Sequence, residues 1–372
     1  MHSHEVALRL ILNAVATSGA RYGLAIEPML SLSIDFYTKV FVKVTRSPSA
    51  VKFLGAKTML AYSCDQGCGS WETQPILKSR PFPNKKGTGS FYKHGMAQGP
   101  SSDRMCQHCG HKMHISGPMY GGRIHNQDFI QRILDELPKV SPEVYGTLTR
   151  VEGMLRTALD EYLPGPELPT DVDPKDAEAA VVDHTPFFFI PGKAASILSC
   201  ATPTDDMFRG ALLHLGYQVG RSHCRPGSIK TDAPWSTIWW ILTEWIKKKS
   251  PIKVSKFKET MPGWKILYDA GIVGQTDEKA DVSAKPENDD AKMEGAEEQQ
   301  PAKDEVVSEK EDAEPEANGD DGKGETLTED ELRKTLVFDD ALVQLGRQKG
   351  TRYMRYQVNP HKNWGPMTRA KG

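Results

Sequence analysis

The chain has 372 residues, room for two or three domains at about 150 residues each. Hydrophobic residues make up 38% and charged residues 26%, and no apolar run approaches the roughly 18 residues of a membrane-spanning helix, so that class is excluded. The net charge of −2 hides an asymmetry: residues 276–331 hold 22 Asp/Glu and 6 Lys, a net −16, so the remainder carries +14.

A basic body is the usual footprint of a polyanionic partner, nucleic acid first, although a solvated lysine-rich surface has the same composition. The N-terminal residues read neither as a secretory signal nor as a mitochondrial presequence. Six cysteines in a chain of this length do not imply a disulfide scaffold. A reducing compartment is expected, with clustered cysteines read first as metal ligands.

Ser3 to Thr17 reads as a helix capped by Ser3, with Glu5 in its first turn and Val6, Leu10 and Ala14 at helical spacing. Gly19 and Gly23 mark a turn. Ser33 to Thr45 reads as one strand, with Ile34, Phe36, Val40, Val42 and Val44 opposite Asp35, Lys39 and Lys43. One helix and one strand bury no core of their own. The first 45 residues are therefore expected to belong to a larger domain.

Residues 61–125 read as a loop-rich block. Asn126 to Leu137 is a helix capped by Asn126, and Val144 to Leu163 is a second, with Leu148, Val151, Leu155 and Leu159 on one side. Residues 171–183 read as a polar linker. Thr185 to Trp264 reads as an α+β unit: a helix over 204–215, a strand over 217–222, and a tryptophan-rich helix over 234–247. Trp235, Trp239, Trp240 and Trp245 are read as core in preference to a stacking platform. Residues 276–331 contain no aromatic residue and are expected to be disordered. A helix is expected near 329–345. The tail from Arg347 has seven Lys/Arg and no acid. The domain reading is thus 1–48, 49–163, a linker over 164–184, 185–268, the acidic insert over 269–331 and the basic tail over 332–372.

The strongest chemical signal is Cys64-x3-Cys68 with Cys106-x2-Cys109. Two close thiolate pairs can close a tetrahedral shell around Zn2+, and four thiolates leave no position for a reactive water, so such a site is structural. Reduced, unliganded cysteines are the alternative, and His108, His111 and His114 are rival ligands. Cys200 and Cys224 are read as buried small hydrophobes. Between the pairs, Lys78, Arg80, Lys85, Lys86, Lys93 and Arg104 interleave with Trp71, Phe91 and Tyr92, a composition suited to RNA backbone and unstacked bases. Arg221, His223, Arg225, Lys230 and Thr231 crowd one turn, and each can contact phosphate or a ribose hydroxyl. Lys247 to Lys258 form a second basic stretch, readable as a backbone contact or a nuclear-import signal. The sequence has no glycine-rich cofactor loop, Walker motif, Gly-x-Ser-x-Gly elbow or His-Glu-x-x-His. The residues alone therefore describe a zinc-containing nucleic-acid-binding protein with no visible active site.

Seven segments together resemble the tRNA (guanine-26, N2)-dimethyltransferases. They are HEVALRLIL (4–12), RYGLAIEPMLSLSIDFYTKVFVKV (21–44), SCDQGCG (63–69), CQHCG (106–110), GPMYGGRIHNQDF (117–129), YQVGRSHCRPGSIKTDAPW (217–235) and RYQVNPHKNWGPMTRA (355–370). The resemblance implies an α/β architecture: the closing elements of a Rossmann-like methyltransferase domain, then a zinc-containing α+β C-terminal domain. It implies S-adenosylmethionine as cofactor and tRNA as partner, with methyl transfer to the exocyclic amine of a guanine. Cys64, Cys68, Cys106 and Cys109 align with the family's paired cysteines. Arg221, His223, Lys230, Arg352 and Arg355 are the expected tRNA contacts. Residues 2–45 match only the end of the methyltransferase domain, so no catalytic or cofactor-binding residue is carried over, and the chain alone is expected to be inactive. A non-catalytic, zinc-stabilised RNA-binding module is the rival reading. The expected compartment is the nucleus, with mitochondrion and cytoplasm as alternatives.

Overall fold

A computed structural model describes residues 2–34, 37–85, 87–274, 328–347 and 353–354. In chain order the elements are α1 (Ser3–Ala20), β1 (Leu24–Ile34), β2 (Tyr37–Arg46), α2 (Pro48–Val51), β3 (Thr58–Ser63), β4 (Trp71–Pro75), β5 (Leu77–Pro83), β6 (Ser90–Met96), β7 (His114–Tyr120), α3 (Gln127–Glu136), α4 (Leu148–Leu159) and α5 (Pro174–Ala180). There follow α6 (Pro191–Ile197), α7 (Asp205–His214), β8 (Val219–Gly220), β9 (Lys230–Thr231), α8 (Trp235–Lys248), α9 (Pro262–Asp269), α10 (Glu329–Thr335) and α11 (Asp340–Gly346). The fold is mixed α/β. No described helix is long and apolar enough to cross a membrane.

α1 forms where the periodicity places it, but its start differs from expectation. His2 holds the cap position and no side chain caps the helix. Glu5, in the first turn as expected, is fully buried. Leu8, Leu12 and Ala16 pack against Tyr120, Ile124, Val40 and Val42, so α1 is buried by later parts of the chain.

The single strand expected over 33–45 is corrected to two. β1 and β2 pair antiparallel, from Leu24 opposite Arg46 to Ile34 opposite Tyr37. Pro28 argues against a strand in this stretch. A register shift between Pro28 and Leu30 accommodates it, and the freed Met29 carbonyl accepts the Asn126 amide. Of the predicted apolar face, Val40 and Val42 reach the core, while Val44 is exposed.

The loop-rich reading of 61–125 is also corrected. β3 is the centre of a sheet ordered β4-β3-β7, and β5 and β6 form a separate antiparallel hairpin. These strands are short, several carry Gly or Pro, and the cysteine turns interrupt them, which hides their alternation. α3 is capped as expected, the Asn126 side chain accepting from the Phe129 amide. α4 is shorter than predicted and buries Met154, Leu155 and Ala158, leaving Val151 exposed. The polar stretch 171–183 is not merely a linker. Asp173 caps α5, and Val172 and Ala177 are buried.

The largest core joins α6, α7, α8, α9 and α11 through Leu198, Phe208, Leu212, Trp235, Trp239, Leu242, Leu267 and Leu342. Trp240 and Trp245 are only partly buried against it. The strand expected over 217–222 shrinks to β8. The helix expected over 329–345 is two helices, with Leu336 and Phe338 buried between them. The Leu342 carbonyl of α11 lies where a Cβ at Gly210 of α7 would stand, so these helices cross almost backbone to backbone. The expected disorder of the acidic insert falls almost wholly outside the described residues.

Candidate metal centre and buried charge network

Sγ atoms of Cys64, Cys68, Cys106 and Cys109 all lie within 4.8 Å of one another. Cys64 to Cys109 measures 3.3 Å and Cys68 to Cys106 measures 3.7 Å. Four sulfurs each about 2.3 Å from one zinc would stand about 3.8 Å apart, so the cluster is close to tetrahedral size.

Two tight turns present the sulfurs. The Cys64 carbonyl accepts the amides of Gly67 at 3.2 Å and Gly69 at 2.8 Å, and the Cys106 carbonyl accepts that of Gly110 at 2.8 Å. Gly67 has no alternative, because a Cβ there would collide with the sulfurs of Cys64 and Cys109 and with His111. Without a cation the sulfurs compete for protons. Contacts with Cys109, Cys64 and Cys68 hold Cys106 toward the thiolate, while contacts with Cys106, Cys109 and Cys64 push Cys68 toward the thiol. A divalent cation removes that conflict, and the donor set fits zinc.

The rival histidines stand outside the cluster. His114 pairs with Asp65, and His111 Nδ1 faces the Cys109 carbonyl at 3.3 Å. Sequence reasoning missed Ser70, whose hydroxyl lies 3.2 Å from Cys68 Sγ and 3.3 Å from Cys106 Sγ. The cysteines are part of the largest core. Trp71, just beyond the first turn, meets Trp235 of α8 edge-on at 4.7 Å. None of the six cysteines is in a disulfide, and Cys200 and Cys224 are half-buried instead of buried.

A second cluster joins residues far apart in sequence. Arg9 bonds Glu5 at 2.8 Å, pairs with Asp183, and donates to the carbonyls of Tyr120 and Gly122 at 2.9 and 3.0 Å. Lys230 lies 3.5 Å from Glu5, 3.6 Å from Glu161 and 3.9 Å from Asp183. Glu5 also accepts the Phe187 amide at 2.9 Å. Phe187 sits at φ +72°, a left-handed conformation costing about 1–3 kcal/mol that surrounding contacts must hold.

Glu161 accepts from both His223 Nδ1 at 2.6 Å and His125 Nε2 at 3.2 Å. The opposite ring nitrogens face amides of β1: Ser31 to His125 at 3.4 Å, Ser33 to His223 at 3.1 Å. An amide only donates, so on a neutral ring each of those nitrogens accepts and the ring proton points at Glu161. A metal on the Glu161 side would need that proton moved to a nitrogen already accepting a bond. The trio forms a buried hydrogen-bond hub around Glu161. Burial holds His125 below its usual pKa. At His223 burial is outweighed by Cys224 and Glu161, which raise the pKa to about 10. Burial opposes charge on Glu161, but His223 and Lys230 hold it well below the usual carboxylate range.

These positions correct part of the expected RNA-binding set. His223 is 2% exposed and Lys230 is 3% exposed, and both face buried carboxylates, so neither presents its charge to a phosphate outside. Arg221 stays partly exposed, 3.1 Å from Asp160, with its guanidinium 5.2 Å from the Tyr353 ring. This contact brings the 217–235 segment and the C-terminal tail together. Arg352 and Arg355 lie outside the described residues, as does Lys86. On the β5–β6 hairpin, Phe82 and Phe91 are exposed, and the Lys93 ammonium lies 5.4 Å over the Phe82 ring.

The profile of the N2,N2-dimethylguanosine tRNA methyltransferases matches residues 1–169 and 176–243. The tRNA (guanine(26)-N(2))-dimethyltransferase of Schizosaccharomyces pombe is 40% identical over 264 residues, 71% of this chain and 43% of that protein. The mitochondrial enzyme of the same name from Saccharomyces cerevisiae is 37% identical over 270 residues, again 71% and 43%. The Homo sapiens enzyme is 32% identical over 264 residues, 71% of this chain and 36% of that protein. The chain thus spans less than half the length of these relatives. Trm1 from Pyrococcus horikoshii, solved with S-adenosyl-L-methionine, aligns at TM-score 0.44 and 19% identity, over 65% of this chain and 49% of that one. With its profile matched from α1 through most of α8, the chain belongs to the N2,N2-dimethylguanosine tRNA methyltransferase family.

Proposed function

We propose that this chain is the zinc-structured, tRNA-holding part of an S-adenosylmethionine-dependent tRNA guanine-N2 methyltransferase acting at position 26. The observation that carries the reading is the family match, which runs through both cysteine pairs and the 217–235 segment. In this reading Cys64, Cys68, Cys106 and Cys109 hold structural zinc. Residues 1–48 close a Rossmann-like methyltransferase domain, and the zinc-containing α+β part follows. The cofactor supplies a methyl group already activated as a sulfonium. The guanine must leave its stack for the amine to be reached, so the role of this chain is to grip backbone and orient the RNA. Cations beside aromatics fit that role, the partly exposed Arg221 with Tyr353 and the exposed Lys93 with Phe82. The lysines of 247–258 favour a nuclear placement, and the name of the yeast relative keeps the mitochondrion open.

Alone, the chain binds tRNA without methylating it, because it has no glycine-rich cofactor loop. Two assays test this. Paired replacement of Arg80 and Lys93 by alanine, or Arg221→Ala, weakens tRNA binding about tenfold and flattens its salt dependence. Unchanged affinity in all these variants would remove the proposed contacts. Methyl transfer to tRNA by the unaided chain would overturn the division of labour.

A further inference from the structure

A cavity of about 450 Å³ opens beside the first half of β1, away from the cysteine cluster and bordering the buried charge network at Tyr120 and His125. Its walls include Lys57, Tyr120, Arg123, Tyr162 and the end of α5. Among the described residues, Lys57, Arg123 and Lys175 of this wall make no ion pair within 4.0 Å, and of these Lys57 and Arg123 are the two that are not exposed.

Both are held in place by the fold. The Lys57 amide donates to Phe53 and Leu54, at 3.2 and 3.0 Å, and its carbonyl accepts the Gly121 amide at 2.7 Å. The Arg123 guanidinium lies 4.2 Å over the Tyr162 ring, and the neighbouring Gly122 carbonyl is fixed by Arg9. Glu27 also lines the cavity, but its oxygens are taken by Lys43 at 3.1 Å and Asn126 at 2.7 Å. Asp128 and Glu178 are exposed residues of the wall. Burial lowers the Lys57 pKa to about 8, against the attraction of Glu178 and Glu27. A half-buried lysine without a close ion pair costs free energy, which an incoming anion recovers.

We propose that this cavity binds a nucleotide phosphate, with Lys57 and Arg123 as its cationic clamp. The guanidinium fork and the ammonium point charge together suit phosphate oxygens. The volume exceeds that of an inorganic ion and admits a mononucleotide-sized group. The inference rests on the cavity alone and stands whether or not the tRNA reading does. The phosphate can come from an RNA backbone or from a free mononucleotide.

The test is reductive labelling of the full chain with pyridoxal 5′-phosphate and borohydride near pH 8, read by peptide mass spectrometry. Lys57 is expected to label before the exposed lysines, and about tenfold faster than with pyridoxal, which lacks the phosphate. Arg123→Gln removes that preference, and Lys57→Met removes the label. Protection by GMP assigns the site to free nucleotides, and protection by tRNA alone assigns it to RNA backbone. Equal labelling by the two aldehydes, or no protection by either ligand at saturation, overturns the proposal.

Discussion

Lys230 shows what a motif looks like before and after folding. In sequence it stands among Arg221, His223 and Arg225 as a natural phosphate contact. In the structure it is 3% exposed and faces Glu5, Glu161 and Asp183. Those partners are separated by up to 225 residues, so no local pattern announces them. The cysteines were legible because ligand spacing is local. Removing one member of a buried ion cluster leaves uncompensated charge, so Lys230→Met is expected to cost about 3–5 kcal/mol by urea unfolding. The depressed carboxyls of Glu161 and Asp183 contribute stability that is present above about pH 4 and lost as pH falls through their folded pKa values. Lys57 has the opposite sign. Its pKa drops from 10.5 to about 8, so its charge penalises the fold at neutral pH and the penalty fades as pH rises from 8 toward 10.5. Lys57→Met is therefore expected to stabilise the chain at pH 7, by about 3 kcal/mol at most, with the gain gone near pH 10.5. A destabilised Lys57→Met at pH 7 would show that the ammonium is not under strain.

Elements with a cap and a clean period were readable: α3 follows from Asn126 and its apolar face, and α7 from Thr204 and the glycine after it. Elements that depend on exceptions were not. β1 contains Pro28 and needs a bulge, and β3 to β7 are short strands interrupted by the metal turns. The close approaches are equally invisible in sequence, yet they make sharp predictions. Gly67→Ala puts a methyl group among the sulfurs and is expected to bring bound zinc well below one equivalent by elemental analysis. Gly210→Val drives α11 off α7 and is expected to cost about 1–3 kcal/mol by thermal or urea unfolding. A variant at wild-type stability would mean that α10 and α11 do not close this core.

At the scale of the whole chain, the sequence suggested separable units, and the contacts bind them together. Arg9 of α1 reaches Asp183, the cysteine turns share a core with α7 and α8, and Phe338 packs on Trp245. Composition identified the basic body and the acidic insert, but not which basic residues face outward. We propose that a four-thiolate zinc centre organises a tRNA-holding fold. Titrating tRNA into the full chain before chelation, after chelation and after zinc is restored decides this. One zinc per chain, tRNA binding that weakens with salt, loss of binding with the metal, and recovery on zinc addition are expected. Equal binding by metal-free protein, or no tRNA binding at low salt in the zinc-loaded protein, would contradict it.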